Sequence, residues 1–259
     1  MIEGLIFKAK EQIMFNTNLE NQFQIFSASH FITILIVFFF VVLVYQYREK
    51  LKEKKYYNFF RYFFVFITIG QELSLNIYRM INGEWIISTS LPLQLCGLAM
   101  IITSLILITQ SEKLFQSTFF VMMIGAFLAI ATPAIENNFG FPHYRFIQFF
   151  VGHGMILINF TFMLFVMEYH ANIQYKHVLY NIVTLLGLAA FNYIVNILTG
   201  GNYMYLMGKP GENTAFDLFG EHPWYILNII VLGIPIFFHI FYTPFLIRNF
   251  RKKRLMAKL

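Results

Sequence analysis

Seven long apolar runs alternate with short polar segments along the chain. Each run has roughly the 20 apolar residues that an α-helix needs to cross the hydrocarbon core of a bilayer. The pattern predicts an all-α, polytopic membrane protein in which a single membrane domain, residues 1–259, holds seven transmembrane helices. The predicted spans are 28–47, 57–79, 88–109, 115–135, 145–167, 178–199 and 223–247. The second span, which contains charged residues, and the third, which opens on Ser-Thr-Ser-Leu-Pro, are the least regular.

Composition indicates the same surroundings. Hydrophobic residues make up 58% of the chain and charged residues 12%, whereas a soluble domain is about 25% charged. A water-soluble fold could not bury so much apolar surface, so the chain is expected to lie in lipid. The single cysteine, Cys96, excludes an intramolecular disulfide.

Charge placement sets the expected partners and orientation. The net charge of +6 comes from basic clusters beside apolar runs, at 48–55 and 248–254, where they meet anionic lipid headgroups. Membrane lipids are therefore the expected partners, nucleic acid is not, and the oligomeric state stays open. Fourteen of the 19 Lys and Arg residues lie in the loops 48–56, 110–114 and 168–177, in the C-terminal tail and at Arg61. Because basic loops stay in the cytoplasm, we expect a cytoplasmic C-terminus, an N-terminus outside and a multi-pass location in the cell membrane.

Polar residues within the spans gather at one depth. A rise of about 1.5 Å per residue places the following set on five spans in the outer half of the bilayer: His30, Glu72, Asn76, Gln94, Cys96, His153, Asn192 and Asn196. Glu72, Asn76 and Arg79 recur at i, i+4 and i+7, which is one helix face. Lipid cannot satisfy such groups, so they are expected to face the bundle interior. We expect one polar cavity to be lined by His30, Glu72, Cys96, His153 and at least one of Asn192 and Asn196.

Each candidate has two interpretations. Cys96 is either a nucleophile or a small hydrophobic residue in a helix. His153 is a general base, a ligand or an interhelical hydrogen-bond partner. Glu72 is either a site carboxylate or part of a structural ion pair with Arg79. The His and Glu residues are scattered and do not cluster at ligand spacing, so we expect no metal site. The sequence has no glycine-rich phosphate-binding loop, so we expect no nucleotide cofactor.

Several segments together resemble a family of bacterial integral membrane proteins, the YwaF-like family. They are 26–30, 91–96, 148–153, 202–206 with Lys209-Pro210, and Asp217 followed by 223–225. Gln94 stands where His is expected in many relatives. More distantly the pattern resembles the transmembrane protein 164 family. That resemblance implies a cysteine-dependent acyltransferase acting on phospholipids, with Cys96 as the nucleophile and His153 as the base.

Two functional hypotheses follow. The first is a membrane acyltransferase or lipid hydrolase that acts in the outer leaflet, with Cys96 and His153 at its centre. Gln94, Asn192 or Asn196 would then stabilise the oxyanion, and Glu72 would orient a histidine. The second is a binding or transport protein that uses the same cavity without covalent chemistry. A seven-span sensory protein is a third possibility, although the short cytoplasmic loops leave little room for a signalling module. The loop 200–222, which carries Asp217, is expected to re-enter the membrane or cover the site.

Overall fold

The computed structural model describes residues 22–135, 139–210 and 215–256, and over these ranges it contains helices and turns but no strand. The α-helices of this part of the chain are α1 Ala28–Gln46, α2 Arg48–Leu51, α3 Lys54–Ile81, α4 Ile87–Ser90, α5 Leu95–Thr109, α6 Glu112–Ala131, α7 Tyr144–Phe165, α8 Tyr175–Thr199, α9 Trp224–Asn228 and α10 Ile234–Met256. Short 3-10 helices lie at Tyr169–Asn172, Tyr203–Tyr205 and Ala215–Phe219, and a π-helical turn, Ile229–Gly233, joins α9 to α10. The all-α prediction is confirmed for these residues.

Within the described ranges, five helical segments are long and apolar enough to cross a membrane: α1, α6, α7, α8 and Trp224–Arg251. The chain is a membrane protein, and its apolar helices fit a lipid environment. The helices at the second and third predicted spans differ from these five. Helix α3 is 28 residues long but carries five charged residues. Helix α5 has only 15 residues.

The third predicted span, 88–109, is not one helix. Helix α4 ends at Ser90, Leu91 and Gln94 have extended backbones with ψ of 146° and 150°, and α5 begins at Leu95. Pro92 explains the break, because proline lacks a backbone N–H and disfavours helical geometry in the residue before it. Cys96 is therefore the second residue of a helix, where a continuous span would have placed it in mid-helix.

The other predicted spans coincide with helices to within about four residues at most ends, although α10 continues well beyond 247. Side chains fix several helix starts. Ser27 Oγ accepts the backbone N–H of His30 at 3.4 Å at the start of α1, and Ser111 Oγ accepts that of Leu114 at 3.3 Å at the start of α6. Each hydroxyl satisfies an amide that has no partner within the helix. Gly200 ends α8 with a φ of 67°, which glycine adopts without strain.

Helix α7 lies at the centre of the bundle. It packs against α1, α3, α5 and α6, and 78% of its apolar stretch is buried, compared with 11% for α8. Two glycines permit this packing. A Cβ on Gly152 would lie 2.6 Å from Met100 Cε of α5, and one on Gly154 would lie 3.0 Å from Val37 Cγ2 of α1. His153, between the two glycines, is therefore held where three helices meet.

Candidate functional site

Cys96 lies in the first turn of α5 and is half-buried. The first backbone hydrogen bond of this helix runs from Leu98 N to Gln94 O at 3.0 Å. The amides of the three residues before Leu98 therefore lack helical acceptors, as in any first turn. The positive end of the helix dipole lies at the same place and favours negative charge there, whereas burial and the Glu72 carboxylate act against it. The break at Pro92 thus puts the chain's single cysteine at a helix N-terminus.

His153 is 7% exposed, and the hydrogen bond that its ring makes defines its tautomer. Nδ1 lies 2.7 Å from the carbonyl oxygen of Phe149, one turn earlier on α7. A carbonyl only accepts, so Nδ1 carries the proton and Nε2 keeps its lone pair. The Phe149 ring also packs on the imidazole, with centroids 4.1 Å apart. Among the described residues none hydrogen-bonds to Nε2, so this nitrogen is available to take a proton.

The helices that carry Cys96 and His153 meet through Gln71 of α3. Met100, one turn after Cys96, accepts a hydrogen bond on Sδ from Gln71 Nε2 at 2.7 Å. Gly152 lies against both Met100 and the Gln71 amide, which a Cβ there would approach to 3.0 Å. In the described structure no hydrogen bond joins the Cys96 thiol to the His153 ring. The contacts show that α5 and α7 pack together at Met100 and Gly152, one turn from Cys96 and one residue from His153.

Charged residues surround this junction. Glu72, half-buried on α3, interacts electrostatically with Cys96, Arg79 and Arg145. Arg145, at the start of α7, also interacts with His153. Glu72 is therefore the charged residue that acts on Cys96, whereas the Arg79 and Arg145 guanidinium groups act on Glu72, and that of Arg145 also acts on His153.

The predicted polar face of α3 is present, although most of its bonds are local. Asn76 Nδ2 donates to the backbone oxygen of Glu72 at 3.0 Å, and Asn76 Oδ1 accepts from Trp85 Nε1 at 3.0 Å. Arg79 Nη1 donates to the backbone oxygen of Thr89 at 3.4 Å. Asn76 and Arg79 thus brace the turn between α3 and α4, and Glu72 is the member of this face beside Cys96.

A row of amide side chains crosses from α7 to α5 and was not among the predicted site residues. Arg145 Nη1 donates to Gln148 Oε1 at 2.5 Å, and Gln148 Nε2 donates to Gln71 Oε1 at 2.7 Å. Gln71 Nε2 donates in turn to Met100 Sδ, so the row ends on α5. The sequence contained a signal, since Gln71 and Gln148 are uncharged polar residues inside predicted spans, where lipid cannot satisfy them.

Gln94, Asn192 and Asn196, which were predicted to lie near the site, all bind the loop that follows α8. Gln94 Nε2 donates to Asn202 O at 3.2 Å, and Gln94 Oε1 accepts from Met204 N at 2.8 Å. Asn196 Nδ2 donates to Tyr203 O at 3.0 Å and its Oδ1 accepts from Tyr203 N at 2.7 Å. Asn192 Nδ2 donates to Met204 Sδ at 2.9 Å. The side chains expected to stabilise an oxyanion therefore hold a loop in place.

This loop, residues 201–210, folds back onto the break between α4 and α5. The Tyr203 hydroxyl donates to Ile87 O and accepts from Leu91 N at 3.1 Å. Met204 and Tyr205 have φ of 56° and 54°, a left-handed geometry that is costly for residues other than glycine. Tyr205 interacts electrostatically with Cys96. Within the described chain no hydrogen bond engages the Tyr205 hydroxyl.

His30 and Asp217 have other surroundings. His30 is fully buried, with Nδ1 accepting from Phe26 N at 3.0 Å and Nε2 donating to Ile130 O at 2.9 Å. Both ring nitrogens are therefore used to join the start of α1 to the end of α6. Asp217 Oδ1 accepts from Lys209 Nζ at 3.1 Å in the loop before α9. Neither side chain forms a hydrogen bond with Cys96, His153 or Glu72.

The chemistry available at the site is that of a thiol, a neutral imidazole and a nearby phenol. No group of three or more His, Cys, Asp or Glu among the described residues is placed to hold a metal ion. A thiol with a facing base is suited to acyl transfer, because a thiolate attacks acyl carbons and the base carries the proton.

A comparison with protein-family models matches residues 25–241 to the TMEM164 family. The match covers most of the chain and includes every predicted site residue. It confirms the resemblance to the transmembrane protein 164 family, while the resemblance to YwaF-like proteins stays a prediction. No curated protein and no solved structure matches the chain.

Proposed function

The chain belongs to the TMEM164 family, and on this premise we propose that it is a membrane acyltransferase that takes an acyl group from a phospholipid through Cys96. One observation carries the proposal. Cys96 lies in the first turn of α5, and this helix packs against α7, on which His153 keeps its Nε2 lone pair free. A nucleophile near a helix N-terminus and a neutral base on a facing helix are the two groups that thiol-dependent acyl transfer requires.

The proposed reaction has two halves. His153 Nε2 takes the thiol proton, and the Cys96 sulfur attacks the ester carbonyl of the lipid. The tetrahedral intermediate then releases the alkoxide, which receives the proton from His153, and the acyl group remains on sulfur as a thioester. In the second half His153 removes a proton from an acceptor alcohol, or from water, whose oxygen attacks the thioester. The thiolate leaves and is reprotonated, so the protein returns to its starting state.

The oxyanion of each tetrahedral intermediate needs hydrogen-bond donors. Gln94 and Asn196 already use their amide groups to hold the 201–210 loop. The first-turn amides of Cys96 and Gly97 at the positive end of α5 are better placed, because an N–H at a helix start has no helical acceptor. We assign the remaining donor role to the Tyr205 hydroxyl, which interacts electrostatically with the thiol and forms no hydrogen bond within the described structure.

We also propose that the bundle crosses the cell membrane seven times, with the N-terminus outside. In this arrangement α3 and α5 cross together with the five apolar segments, and α4 with the loop 201–210 completes the short α5 on its outer side. Helical breaks at membrane depth are tolerated where they face a protein-lined cavity. The site then opens to the outer leaflet, and the basic cluster 48–55 lies in the cytoplasm.

A lipid with a labelled acyl chain tests the proposal. The purified wild-type protein should retain label that hydroxylamine releases at neutral pH, because a thioester is cleaved under conditions that spare an oxygen ester. Cys96→Ala should retain none, and His153→Gln should acquire label more slowly, by roughly the 100- to 10,000-fold typical of a lost general base. His239→Gln, at an exposed histidine of α10, is the matched control and should label normally.

The opposite pattern would indicate a binding or transport protein. In that case lipid would be retained without a covalent bond, and Cys96→Ala would bind as much as the wild type. Turnover of a phospholipid by Cys96→Ala at the wild-type rate would also refute the proposal.

A further inference from the structure

A second charged position lies at the other end of the bundle, away from Cys96. Arg61 is on α3, about 10 Å along the helix from Lys54, and is only 5% exposed. Its Nη2 donates to the Tyr62 hydroxyl at 3.0 Å. Its Nε and Nη1 are buried and have no hydrogen-bond partner. A guanidinium that is withdrawn from water with two nitrogens unsatisfied is costly unless an anion joins it.

Aromatic rings offset only part of this cost. The guanidinium carbon lies 4.8 Å from the centroid of the Tyr62 ring and 5.5 Å from that of Tyr57. The attraction of a ring face for a cation is smaller than the penalty for burying an unpaired charge. The rings also leave the hydrogen-bonding capacity of Nε and Nη1 unused. The environment of Arg61 thus accommodates its flat cation, but within the described structure Nε and Nη1 have no acceptor at hydrogen-bond geometry, although the Tyr57 hydroxyl interacts with the guanidinium.

Three acidic residues described at this end bond to other groups, and a fourth, Glu53, is exposed to solvent. Glu112 Oε1 accepts from Asn172 Nδ2 at 2.7 Å and from Gln116 Nε2 at 3.1 Å. Glu49 and Glu168 both pair with Lys52. None of them forms an ion pair with Arg61. The surrounding basic residues of the 48–55 cluster instead make this end of the bundle attractive to an external anion.

The outer surface of α3 indicates what that anion belongs to. Beside Arg61 an open, apolar hollow is lined by Asn58, Phe59, Tyr62, Phe63 and Phe66. Its rings offer a surface for an acyl chain, and Tyr62, which is 53% exposed, stands between the hollow and the guanidinium. A phospholipid carries its phosphate next to its acyl chains, so one molecule can place a chain on the hollow and a phosphate oxygen towards the guanidinium. Arginine binds phosphate through its N–H donors, and Nε and Nη1 of Arg61 each carry a donor that is not used.

We propose that Arg61 is the anchor of a phosphate-binding site for a phospholipid headgroup at the basic end of the bundle, separate from the Cys96 site. A small displacement of the Tyr62 ring opens the path to Nε and Nη1. This lipid is a resident ligand that compensates a buried charge, and it undergoes no chemistry. The proposal is independent of the activity assigned to Cys96.

Thermal unfolding in a neutral, phosphate-free detergent tests the site. Phosphatidylglycerol should raise the unfolding midpoint of the wild type by several degrees, because a ligand that binds only the folded state stabilises it. Diacylglycerol, which lacks phosphate, should not. Arg61→Met, which keeps a similar volume without the charge, should lose the shift. Arg251→Met, at an exposed arginine of α10, should keep it.

Inorganic phosphate, compared with chloride at equal ionic strength, identifies the source of the anion. A wild-type shift with inorganic phosphate, again lost in Arg61→Met, would support the anion site with a soluble ligand. An equal shift from phosphatidylglycerol in the wild type and in Arg61→Met would overturn the proposal. Should Arg61→Met not fold, native mass spectrometry of the wild type decides. The proposal stands if a phospholipid is retained and Tyr62→Ala, which removes the ring beside the guanidinium, changes its retention. It fails if none is retained or if retention is unchanged.

Discussion

Gln94 Oε1 accepts the backbone N–H of Met204 at 2.8 Å, a bond between residues 110 positions apart in the chain. Gln94 is the residue before the first turn of α5, and Met204 is the neighbour of Tyr205. One amide side chain therefore fixes the distance between the turn that carries Cys96 and the loop that covers it. Its Nε2 adds a second bond to the same loop, at Asn202 O.

Gln94→Leu should loosen this cover. The substitution keeps the volume of the side chain and removes both hydrogen bonds, so the 201–210 loop should open more often. Cys96 is the only cysteine, so the rate of maleimide labelling of the intact protein measures its accessibility directly. We expect labelling several times faster than in the wild type. Gln24→Leu, at an exposed position before α1, is the control, and an unchanged rate in Gln94→Leu would show that the loop does not limit access.

Tyr205→Phe should slow formation of the thioester and leave lipid binding unchanged. Loss of one oxyanion donor typically lowers the rate by about 100-fold or more, and the phenylalanine ring preserves the packing against Phe216, whose ring centroid lies 5.5 Å away. Single-turnover labelling with the acyl-labelled lipid gives the rate, and equilibrium binding of a non-hydrolysable ether analogue gives the affinity. Tyr180→Phe, at an exposed tyrosine of α8, should behave as the wild type.

A wild-type rate in Tyr205→Phe would remove Tyr205 from the mechanism and leave Cys96 and His153 unaffected. A weaker affinity with an unchanged rate would assign the hydroxyl to substrate binding.

The orientation of the helix bundle in the membrane can be tested separately. In a Cys96→Ala background, single cysteines at Glu221 and at Arg254 should react differently with a membrane-impermeant maleimide added to whole cells. We expect Glu221→Cys to label and Arg254→Cys to label only after the membrane is permeabilised, because basic segments stay in the cytoplasm. The reverse result would invert the bundle and move the Cys96 site to the inner leaflet.

The loop between α2 and α3 should show a pH-dependent contribution to stability. Lys52 Nζ donates to Glu168 Oε1 at 2.8 Å, and this hydrogen bond is the main reason that the pKa of the Glu168 carboxyl lies below its ordinary value of 4.5. A carboxyl whose pKa is lowered by folding stabilises the fold above its unfolded pKa, and the contribution is lost as the pH falls through the folded pKa. Glu168→Gln should therefore unfold slightly earlier than the wild type at pH 7, and the two should converge below pH 4.5.

Glu84→Gln, at an exposed acid with no ion pair in the described structure, is the matched control. Its difference from the wild type should not follow this pH course. A constant gap between Glu168→Gln and the wild type from pH 7 into the acid range would contradict the assignment.

The five long apolar helical segments were predictable because each carries an apolar run of membrane length, and this property is local in sequence. The break before α5 was also signalled by Pro92, although the apolar run continues on both sides and favours one helix. Hydropathy reports only which residues avoid water. It does not register the backbone restriction that a proline imposes on itself and on the residue before it. A span of adequate length therefore concealed two shorter helices.

The partners of the polar side chains were less predictable than their depth. Depth placed Gln94, Asn192 and Asn196 near Cys96, and all three bind the loop that lies beside it. Depth also gives no information on the direction in which a side chain points around its helix. His30 was therefore grouped with the site, although its ring nitrogens join α1 to α6. Which bond an amide makes depends on residues far away in the chain, and a single sequence does not contain that pairing.

The length of α5 has a consequence for the lipid itself. Its 15 residues rise about 22 Å, roughly 8 Å less than the thickness of the hydrocarbon core. A membrane adapts to such a hydrophobic mismatch by thinning locally, at a modest cost in free energy. Thinning beside α5 lowers the glycerol backbone of neighbouring lipids, and with it the ester linkage, towards the thiol. In the proposed arrangement α4 and the loop 201–210 cover the outer end of α5 without lengthening its membrane-spanning helix, so a lipid lowered in this way would reach Cys96 without leaving its leaflet.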